Sequence, residues 1–520
     1  MTNPWQQLYR IGLQLRTGIN VMGRHNAGIA KKQAAWLHNC LQRNQKSAYG
    51  QQFQFKQIQT VNQFRNQVPL VTYQDVEPWI KRVAMGEKNV LFEGTPILFE
   101  RTGGSTGGSK LIPYSAASLA DFQTAILPWL ADVVESYDLT TGCAYWAISP
   151  AVRAAEKTGG GIPVGASDGV YLGDEAMQPF RELSAVPLWV AEITNVEEWR
   201  LATLYWLVRK PNLELISVWS PTFFTTLIDG LEQHQESLKS LLHNGGKIAG
   251  YKLDQDAEAL QRLRRYSENR DTRILWPHLK LVSCWSDASS KPFYEELVRR
   301  LPQAQFQGKG LLSTEGVVTI PNKEGHAELT INAGFYEFLD NDGHSWLPQE
   351  LNLGEAYQVV ITTSGGFYRY CTGDYVIVDS QKDLPILRFI GRLGLGADLV
   401  GEKLTEAFVT QCLEGIPGFR LLVPILGTPA PKYGLVIDKS NNLDSQTMAA
   451  RVEEQLKLNS QYAYARNIGQ LDPLAVYKVH APLETYLKWA IKNGTRIGDI
   501  KVPSLRPETD LIDIFLVLQT

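Results

Sequence analysis

The stretch LFERTGGSTGGSKLIPYS, residues 98–115, decides how this chain is interpreted. Two apolar runs flank a loop that holds four glycines, two threonines, two serines and a lysine. Glycine lets backbone N–H groups approach a ligand closely, and the hydroxyls of Thr102, Ser105 and Thr106 add donors. Lys110 adds positive charge at the rim of the loop. The sequence therefore predicts a strand–loop–strand hairpin whose loop cradles phosphate groups.

Three familiar glycine motifs fit this loop less well. The hydrolase motif G-x-S-x-G, matched by residues 103–107, needs a helix directly after its serine, whereas an apolar run containing Pro113 follows here. A P-loop continues Gly-Lys-Ser/Thr into a helix, but residues 108–110 read Gly-Ser-Lys and lead into a strand. The dinucleotide motif G-x-G-x-x-G is absent from the loop. A hairpin loop without function remains an alternative, although a two-residue turn would be enough to join two strands.

Composition narrows the class of protein. The chain has 520 residues, of which 44% are hydrophobic and 20% charged, so an ordinary globular protein of several domains is expected. A net charge of −3 gives no electrostatic footprint for nucleic acid. The apolar runs are shorter than a membrane span needs, and MTNPWQQLYR does not resemble a signal peptide. The sequence predicts no nucleic-acid partner, no membrane partner and a cytoplasmic location.

The cysteines and histidines give no sign of a metal site or of disulfides. The five cysteines are far apart and none forms a C-x-x-C pair, and the eight histidines are equally scattered. This usage is typical of a reducing compartment. The cysteines are Cys40, Cys143, Cys284, Cys371 and Cys412. A monomer or weak dimer is expected.

The order of elements predicts an α/β fold. After a helical start, SAASLADFQTAILPWLADVVES (115–136) reads as a helix with Ser115 as its N-cap, and strand-like and helix-like runs then alternate. Such alternation indicates a largely parallel sheet. After Gln307, short strands joined by Gly, Asp and Pro turns predict an antiparallel segment that closes the domain. The glycine-rich stretch 392–401 separates a large domain, 1–391, from a small mobile α+β domain, 392–520, with two helical stretches and a strand.

Three further motifs carry a resemblance. GLLSTEGVV (310–318), FYRYCTGDYVIV (367–378) and FIGRLGLGADLVGEKLTEAFV (389–409) follow the glycine loop in the order found in adenylate-forming enzymes, the superfamily of acyl-CoA synthetases and luciferases. Within it, LPQAQFQGKGLLSTEG (301–316) and LGEAYQVVITTSGGFYRYCTGDYV (353–376) look most like the auxin-responsive promoter family of acyl acid–amido synthetases. The resemblance covers most of the chain, from about Phe92 to Pro503.

The resemblance implies an ATP-dependent ligase. Enzymes of this family activate a carboxylic acid with ATP to an acyl-adenylate, release pyrophosphate, and let an amine, often an amino acid, attack the adenylate to form an amide. ATP and Mg²⁺ are the implied cofactors, and a carboxylic acid and an amine are the implied partners. Thioester formation with coenzyme A, or a nucleotide-binding relative without catalysis, are the alternatives.

The resemblance also implies a role for each motif. Glu315 would hold Mg²⁺ at the α-phosphate, Asp374 would accept hydrogen bonds from the ribose hydroxyls, and Arg392 would lie near the ribose and the hinge. Lys501, on the mobile small domain, would swing in on the developing pyrophosphate and share catalysis with Glu315. The implied ATP contacts are Thr102, Gly103, Gly104, Ser105, Thr106, Gly107, Thr314, Glu315, Tyr368, Asp374 and Arg392.

The acyl pocket of such a fold lies between the sheet and its helices. ISVWSPTFFTTL (216–227) and CWSDASS (284–290) are the stretches expected there. Trp219, Phe223, Phe224 and Trp285 would then wall an apolar or aromatic acid. Aromatic side chains at a strand-to-helix junction are also common in cores, so core packing stays an alternative for these four.

Overall fold

The computed structural model describes residues 3–16, 26–102, 110–147, 156–165, 168–392, 396–427 and 430–516. The predicted phosphate-loop residues Gly103, Gly104, Ser105, Thr106 and Gly107 lie outside these ranges, between two strands that are described. None of the helices in the described ranges is both long and apolar enough to span a membrane.

The chain begins with helices, as the sequence predicts. A capping box holds the start of the fourth, since Gln63 N donates to Thr60 Oγ1 and Thr60 N donates to Gln63 Oε1. The helices are α1 (Pro4–Arg16), α2 (Asn26–Asn44), α3 (Ala48–Gln52), α4 (Val61–Gln67) and α5 (Tyr73–Ala84).

Strands and helices then alternate up to residue 308. The predicted helix after the glycine loop is present, and Ser115 Oγ accepts from Ser118 N at 3.1 Å as its N-cap. The elements are β1 (Leu98–Arg101), β2 (Leu111–Tyr114), α6 (Ala116–Ser136), β3 (Cys143–Trp146), β4 (Glu156–Lys157), β5 (Pro163–Val164), α7 (Asp168–Leu172), α8 (Asp174–Leu183), α9 (Val196–Val208), β6 (Leu213–Ser217), α10 (Pro221–Gln233), α11 (Gln235–Asn244), β7 (Gly246–Ile248), β8 (Tyr251–Leu253), α12 (Ala257–Asn269), β9 (Leu281–Cys284), α13 (Lys291–Arg300) and β10 (Gln305–Gly308).

The parallel sheet has the order β10-β9-β6-β3 and is parallel throughout. Its register places Ser217 beside Ser283 and Gly308 beside Cys284, so β6, β9 and β10 end at the same edge. Ligands of open α/β sheets bind outside the carboxyl ends of the strands. The side chains that follow these strands therefore meet at one edge.

The hairpin around the glycine loop is also present. β1 and β2 are antiparallel, with Leu98 opposite Tyr114 and Arg101 opposite Leu111. β5 and β4 extend this small sheet on the other side of β1. The strand–loop–strand expectation is confirmed for both strands.

The segment after residue 318 forms a second, antiparallel sheet, as predicted. Its strand order is β11-β12-β17-β16-β15-β13-β14, and every pairing between these neighbours is antiparallel. Its strands are β11 (Thr319–Pro321), β12 (Ala327–Leu329), β13 (Phe335–Leu339), β14 (Ser345–Trp346), β15 (Ala356–Thr362), β16 (Tyr370–Ser380) and β17 (Ile386–Arg392).

The C-terminal segment, residues 396–516, contains more helices and strands than the two helical stretches and one strand expected. Its strands β20 and β21 are antiparallel, and β21 pairs in parallel with β22. Both β20 and β21 are apolar runs buried on both faces, so they lack the alternation that marks a strand in sequence. The elements are β18 (Gly396–Ala397), β19 (Leu404–Thr405), α14 (Glu406–Cys412), β20 (Arg420–Ile425), β21 (Lys432–Asp438), α15 (Ser445–Leu456), α16 (Ser460–Asn467), β22 (Ala475–Val479), α17 (Pro482–Lys492) and α18 (Asp513–Leu516).

The C-terminal segment shares a core with the parallel sheet. Phe293 and Leu297 of α13 belong to the same buried apolar cluster as Leu421 of β20 and Tyr486 of α17. This packing brings the chain after α17 against the carboxyl edge of the parallel sheet. All five cysteines are described, and all are free.

A buried ion pair holds the antiparallel sheet to the N-terminal helices. Arg369 Nε and Nη2 each donate to a carboxylate oxygen of Glu337 at 2.9 Å, and Arg369 Nη1 donates to Val68 O at 2.9 Å. Arg369 is 6% exposed and Glu337 is 1% exposed. Removing one member of such a pair strands the other charge in the interior.

We expect Arg369→Met to lower the free energy of unfolding by about 3 kcal/mol, because the buried Glu337 carboxylate would lose two hydrogen bonds from a cation and keep the longer ion pair to Arg65 at 3.5 Å and the hydrogen bond from Ser345. The thermal midpoint, followed by circular dichroism, should fall on the order of 5–10 °C. Arg388→Met is the matched control, since Arg388 makes a two-bonded pair with Asp379 on the same sheet at an exposed position. Equal midpoints for the two variants would contradict the structural role of Arg369.

Candidate functional site

A cavity of about 740 Å³ opens where the two large sheets and the C-terminal segment meet. It lies outside the carboxyl edge of the parallel sheet, between that edge, β16 and the chain after α17. The residues singled out by sequence that line it are Thr102, Trp219, Trp285, Thr314, Glu315, Asp374, Arg392 and Lys501. Side chains from distant parts of the chain thus converge on one site.

Thr314 and Glu315 are the central residues of a tight turn. Ser313 N donates to Gly316 O at 3.0 Å and Gly316 N donates to Ser313 O at 3.3 Å, which closes the turn. Tyr114 OH, at the end of β2, donates to Thr314 O at 2.6 Å and fixes the turn against the glycine-loop hairpin. The Ser/Thr-Glu motif is therefore held next to the predicted phosphate loop.

The Glu315 carboxylate is buried, and one of its two oxygens accepts no hydrogen bond from the described residues. The residue is 6% exposed, and its Oε1 atom has no hydrogen-bond partner within the described residues. The guanidinium of Arg392 lies 3.9 Å from Oε1, which is an ion-pair distance without a hydrogen bond. A buried carboxylate oxygen in this condition is poised to bind a cation.

Asp374 and Arg392 face each other across two strands. The register of β16 and β17 places them opposite, and Arg392 Nε lies 3.5 Å from Asp374 Oδ1. Arg392 Nη2 also donates to Thr372 O at 3.0 Å, which fixes the guanidinium. Asp374 lies within β16, where the preceding Gly373 adopts a φ of +82°.

Burial and neighbouring charges act in opposite directions on this pair. Burial raises the pKa of Asp374, and the cations of Arg392 and Lys501 offset part of that rise. Asp374 in turn raises the pKa of Arg392, against the opposing effect of burial. The pair is an anion and a cation that stabilise each other's charged forms.

Lys501 projects into the cavity from the C-terminal segment. Its Nζ lies 4.3 Å from the centroid of the Trp285 ring, a cation–π distance. The side chain is exposed to the water of the cavity, yet protein surrounds it on most sides. Removal from bulk water lowers the pKa of Lys501, while Asp374 opposes that shift. Lys501, which the resemblance implies swings in from the small domain, therefore lies beside the charged cluster formed by Glu315, Asp374 and Arg392.

Lys110 and Tyr370 extend the charged cluster toward the glycine loop. Lys110 Nζ donates to Tyr370 OH at 3.3 Å and lies 5.1 Å from the centroid of the Tyr73 ring. Burial lowers the pKa of Lys110, and Glu315 opposes that shift. Both tyrosines line the cavity and were missed by sequence reasoning.

Tyr368 does not lie at the cavity. Its ring is 1% exposed, stacks on Tyr49 at 5.1 Å between centroids, and its OH donates to Leu91 O at 2.9 Å. Because side chains alternate along a strand, an uninterrupted strand would place Tyr368 and Tyr370 on the same face as Asp374. Arg369, however, has a φ of +50° and interrupts the strand. The expectation of an ATP contact at Tyr368 is therefore corrected.

Phe223 and Phe224 lie in the core on α10 rather than at the cavity. They are 2% and 0% exposed and contact Trp199 and Tyr145, with ring centroids 5.7 and 5.8 Å apart. Trp219 precedes the helix and does reach the cavity. The helix buries its apolar face against the parallel sheet, which takes the two phenylalanines inward.

Another part of the cavity, which we call the aromatic lobe, is lined by aromatic side chains and by the cation of Lys309. Lys309 follows β10 directly, is 8% exposed, and its Nζ lies 2.8 Å from Ser217 Oγ. Sequence reasoning passed over it, although its position after a strand of the parallel sheet was a usable signal. The aromatic residues of this lobe are Phe122, Trp129, Trp146, Tyr171, Phe180 and Trp219.

Known proteins resemble this chain over nearly its whole length. Among curated relatives, a probable indole-3-acetic acid-amido synthetase of Oryza sativa subsp. japonica is 24% identical, covering 87% of this chain and 84% of that protein. A jasmonoyl-L-amino acid synthetase of Nicotiana attenuata is 22% identical, covering 74% and 73%.

Solved structures share the fold. An acyl acid amido synthetase, GH3.15, in complex with 2,4-DB superposes with a TM-score of 0.85 at 17% identity, covering 99% of this chain and 97% of that one. A 2-hydroxyisobutyryl-CoA ligase in a postadenylation state gives a TM-score of 0.54 at 11% identity, covering 96% and 93%. The α/β fold class predicted from the sequence is confirmed.

The family is settled by three consecutive domain matches. Residues 22–306 match the GH3 family N-terminal domain, residues 328–392 the central domain and residues 406–509 the C-terminal domain. The resemblance to the acyl acid–amido synthetases drawn from the motifs is thereby confirmed. This chain belongs to the GH3 family.

Proposed function

We propose that this protein is an ATP-dependent ligase that converts a carboxylic acid to an acyl-adenylate and transfers the acyl group to an amine, of the amino acid class. The observation that carries the proposal is the meeting of Glu315, Asp374, Arg392 and Lys501 in one cavity. These residues come from three parts of the chain and match the adenylation motifs of the family. The similarity to a probable indole-3-acetic acid-amido synthetase and to a jasmonoyl-L-amino acid synthetase supports amide formation over thioester formation.

The chemistry of the first step suits this charge distribution. A carboxylate must attack a phosphorus atom that already carries negative oxygens, so the transition state needs positive charge more than it needs a base. Lys501 and Arg392, which both line the cavity, would supply that charge. Asp374 has a carboxylate that can accept two hydrogen bonds from a ribose, and Arg392 holds it in its charged form.

The cavity also suits Mg²⁺ at Glu315. The unpartnered Oε1 atom is an oxygen ligand of the hard type that Mg²⁺ prefers, and its burial makes an unpaired charge costly. Glu315 would hold the ion together with phosphate oxygens of ATP. The bound ion would neutralise phosphate charge during attack. Thr314, beside Glu315 in the turn, has its hydroxyl available on the same wall.

The second step requires the C-terminal segment to move. We place the boundary of a mobile domain at residues 391/392, as the sequence suggests; the central-domain match ends at residue 392 and the C-terminal match begins at residue 406, which supports this. With Lys501 in the cavity, the observed arrangement corresponds to adenylation. Rotation about the stretch 392–401 would withdraw Lys501 and admit the amine.

ATP–pyrophosphate exchange tests the first step. With pools of aromatic, fatty and hydroxy acids and without amine, we expect acid-dependent exchange, and Lys501→Ala should lower its rate at least 100-fold because the transition state loses a positive charge. ATP affinity should change less than about threefold, since the charge matters most during attack. Lys488→Ala is the control, because Lys488 is an exposed lysine of the same segment, paired only with Glu484 at 2.7 Å.

Two results would count against this assignment. An exchange rate in Lys501→Ala equal to that of the unaltered protein would remove Lys501 from the adenylation step. Absence of exchange with every acid pool, with ATP binding intact by calorimetry, would favour a nucleotide-binding relative without catalysis.

A nucleotide lacking a ribose hydroxyl tests Asp374. We expect Asp374→Asn to weaken ATP binding about 10- to 100-fold, because a charged acceptor of two hydrogen bonds is replaced by a neutral amide. The unaltered protein should lose similar affinity for 3′-deoxy-ATP, while the variant should bind ATP and 3′-deoxy-ATP nearly alike. Calorimetry on the four combinations forms a double-mutant cycle. Additive losses would show that Asp374 does not contact the ribose.

A further inference from the structure

A third buried carboxylate, that of Glu406, lines the cavity and has no part in the proposed reaction. We infer that Glu406 is a positioning residue that holds the segment carrying Lys501 so that the lysine stays in the cavity. The inference rests on the proposed function, since holding Lys501 in the cavity serves the adenylation step of that reaction.

Glu406 has a fixed place relative to the charged cluster. It is the first residue of α14, the helix that follows the stretch 392–401, and it is 7% exposed. The next residue, Ala407, packs directly on Gly391 of β17, where φ is +153°. A Cβ atom at residue 391 would lie 2.6 Å from Ala407 Cβ and 2.8 Å from its Cα. The start of α14 is therefore seated against the strand that carries Arg392.

The segment that carries Lys501 is tied to this helix through Glu406. Ser504 N donates to Glu406 Oε1 at 3.4 Å, and within the described residues this is the first backbone hydrogen bond after Lys501. Ile500 and Val502, on either side of Lys501, are 1% and 5% exposed in the apolar core. The core thus holds the neighbours of the lysine, and Glu406 holds the chain that follows it.

Charge connects Glu406 and Lys501 as well. Burial raises the pKa of Glu406, and the N–H of Ser504 and the cations of Lys501 and Arg392 oppose that rise. Burial lowers the pKa of Lys501, and Asp374 and Glu406 are among the carboxylates that oppose that shift. Glu406 and Lys501 therefore stabilise each other's charged forms at a place where both are removed from bulk water.

Ser289 connects Glu406 to the large domain. It precedes α13 and lines the cavity, and its hydroxyl lowers the pKa of Glu406 by hydrogen bonding. Ser289 comes before the proposed domain boundary in the chain and Glu406 comes after it. The contact between them would break when the C-terminal segment withdraws, so it favours the arrangement with Lys501 in the cavity.

The test is a double-mutant cycle in ATP–pyrophosphate exchange, with an acid that supports exchange. Glu406→Gln keeps an acceptor for Ser504 N and removes the charge, and we expect the exchange rate to fall about tenfold while KM for ATP changes less than about twofold. In the Lys501→Ala background, the same substitution should change the residual rate less than about twofold, because Glu406 acts through the lysine.

Glu454→Gln is the matched control, since Glu454 is an exposed glutamate of the same segment, paired with Lys457 at 2.8 Å. It should leave the exchange rate unchanged in both backgrounds. An unchanged rate in Glu406→Gln, or an equal fall in the presence and absence of Lys501, would overturn the inference.

Ser289→Ala decides the matter if Glu406→Gln does not fold, because it leaves the carboxylate in place and removes only the contact across the domain boundary. We expect the exchange rate to fall about threefold in the unaltered background and to stay the same in the Lys501→Ala background. A rate in Ser289→Ala equal to that of the unaltered protein would then count against the role of Glu406.

Labelling of lysines with acetic anhydride, without ATP, separates this inference from the proposed function. Mass spectrometry compares Lys501 with the exposed Lys488, and we expect Lys501 to react at least about threefold faster, relative to Lys488, in Glu406→Gln than in the unaltered protein. Faster labelling combined with no exchange in any protein would uphold the role of Glu406 and remove adenylation. Exchange combined with unchanged labelling would uphold adenylation and overturn the inference.

Discussion

The charged cluster in the cavity depends on one constraint, that a charge taken out of water must be balanced nearby. Asp374 and Glu315 are both nearly buried, and Arg392 and Lys501 are the cations that face them. Arg392 is fixed by the sheet, whereas Lys501 comes from a segment that packs on the other side of the cavity. Lys501 is one of three cations, with Arg392 and Lys110, that offset the rise in the pKa of Asp374 caused by burial, so a movement of the C-terminal segment would change the ionisation of Asp374.

This coupling gives the two halves of the proposed reaction different electrostatic requirements. While ATP is bound, its phosphates would attract Lys501 into the cavity, and Arg392 alone would balance the negative charge of Asp374. After pyrophosphate leaves, one source of that attraction is gone, and the cost of keeping Lys501 away from bulk water remains. In the proposed mechanism, release of pyrophosphate would thus favour withdrawal of the segment, which is the motion proposed for the second step.

The sequence predicted well the residues whose type is dictated by chemistry. It predicted less well the residues whose position is decided by packing. Glu315, Asp374 and Arg392 were selected from motifs, and the structure brings all three to one cavity. Tyr368 was misplaced because the positive φ of Arg369 breaks the alternation of the strand, and a positive φ at an arginine cannot be recognised from the sequence. Phe223 and Phe224 were misplaced because α10 packs into the apolar core beside the parallel sheet, which buries both side chains.

Lys309 illustrates a different limit of sequence reasoning. A lysine between two glycines matches no known motif. The parallel register of the sheet, which brings the ends of β6 and β10 to the same edge, places Lys309 at the cavity.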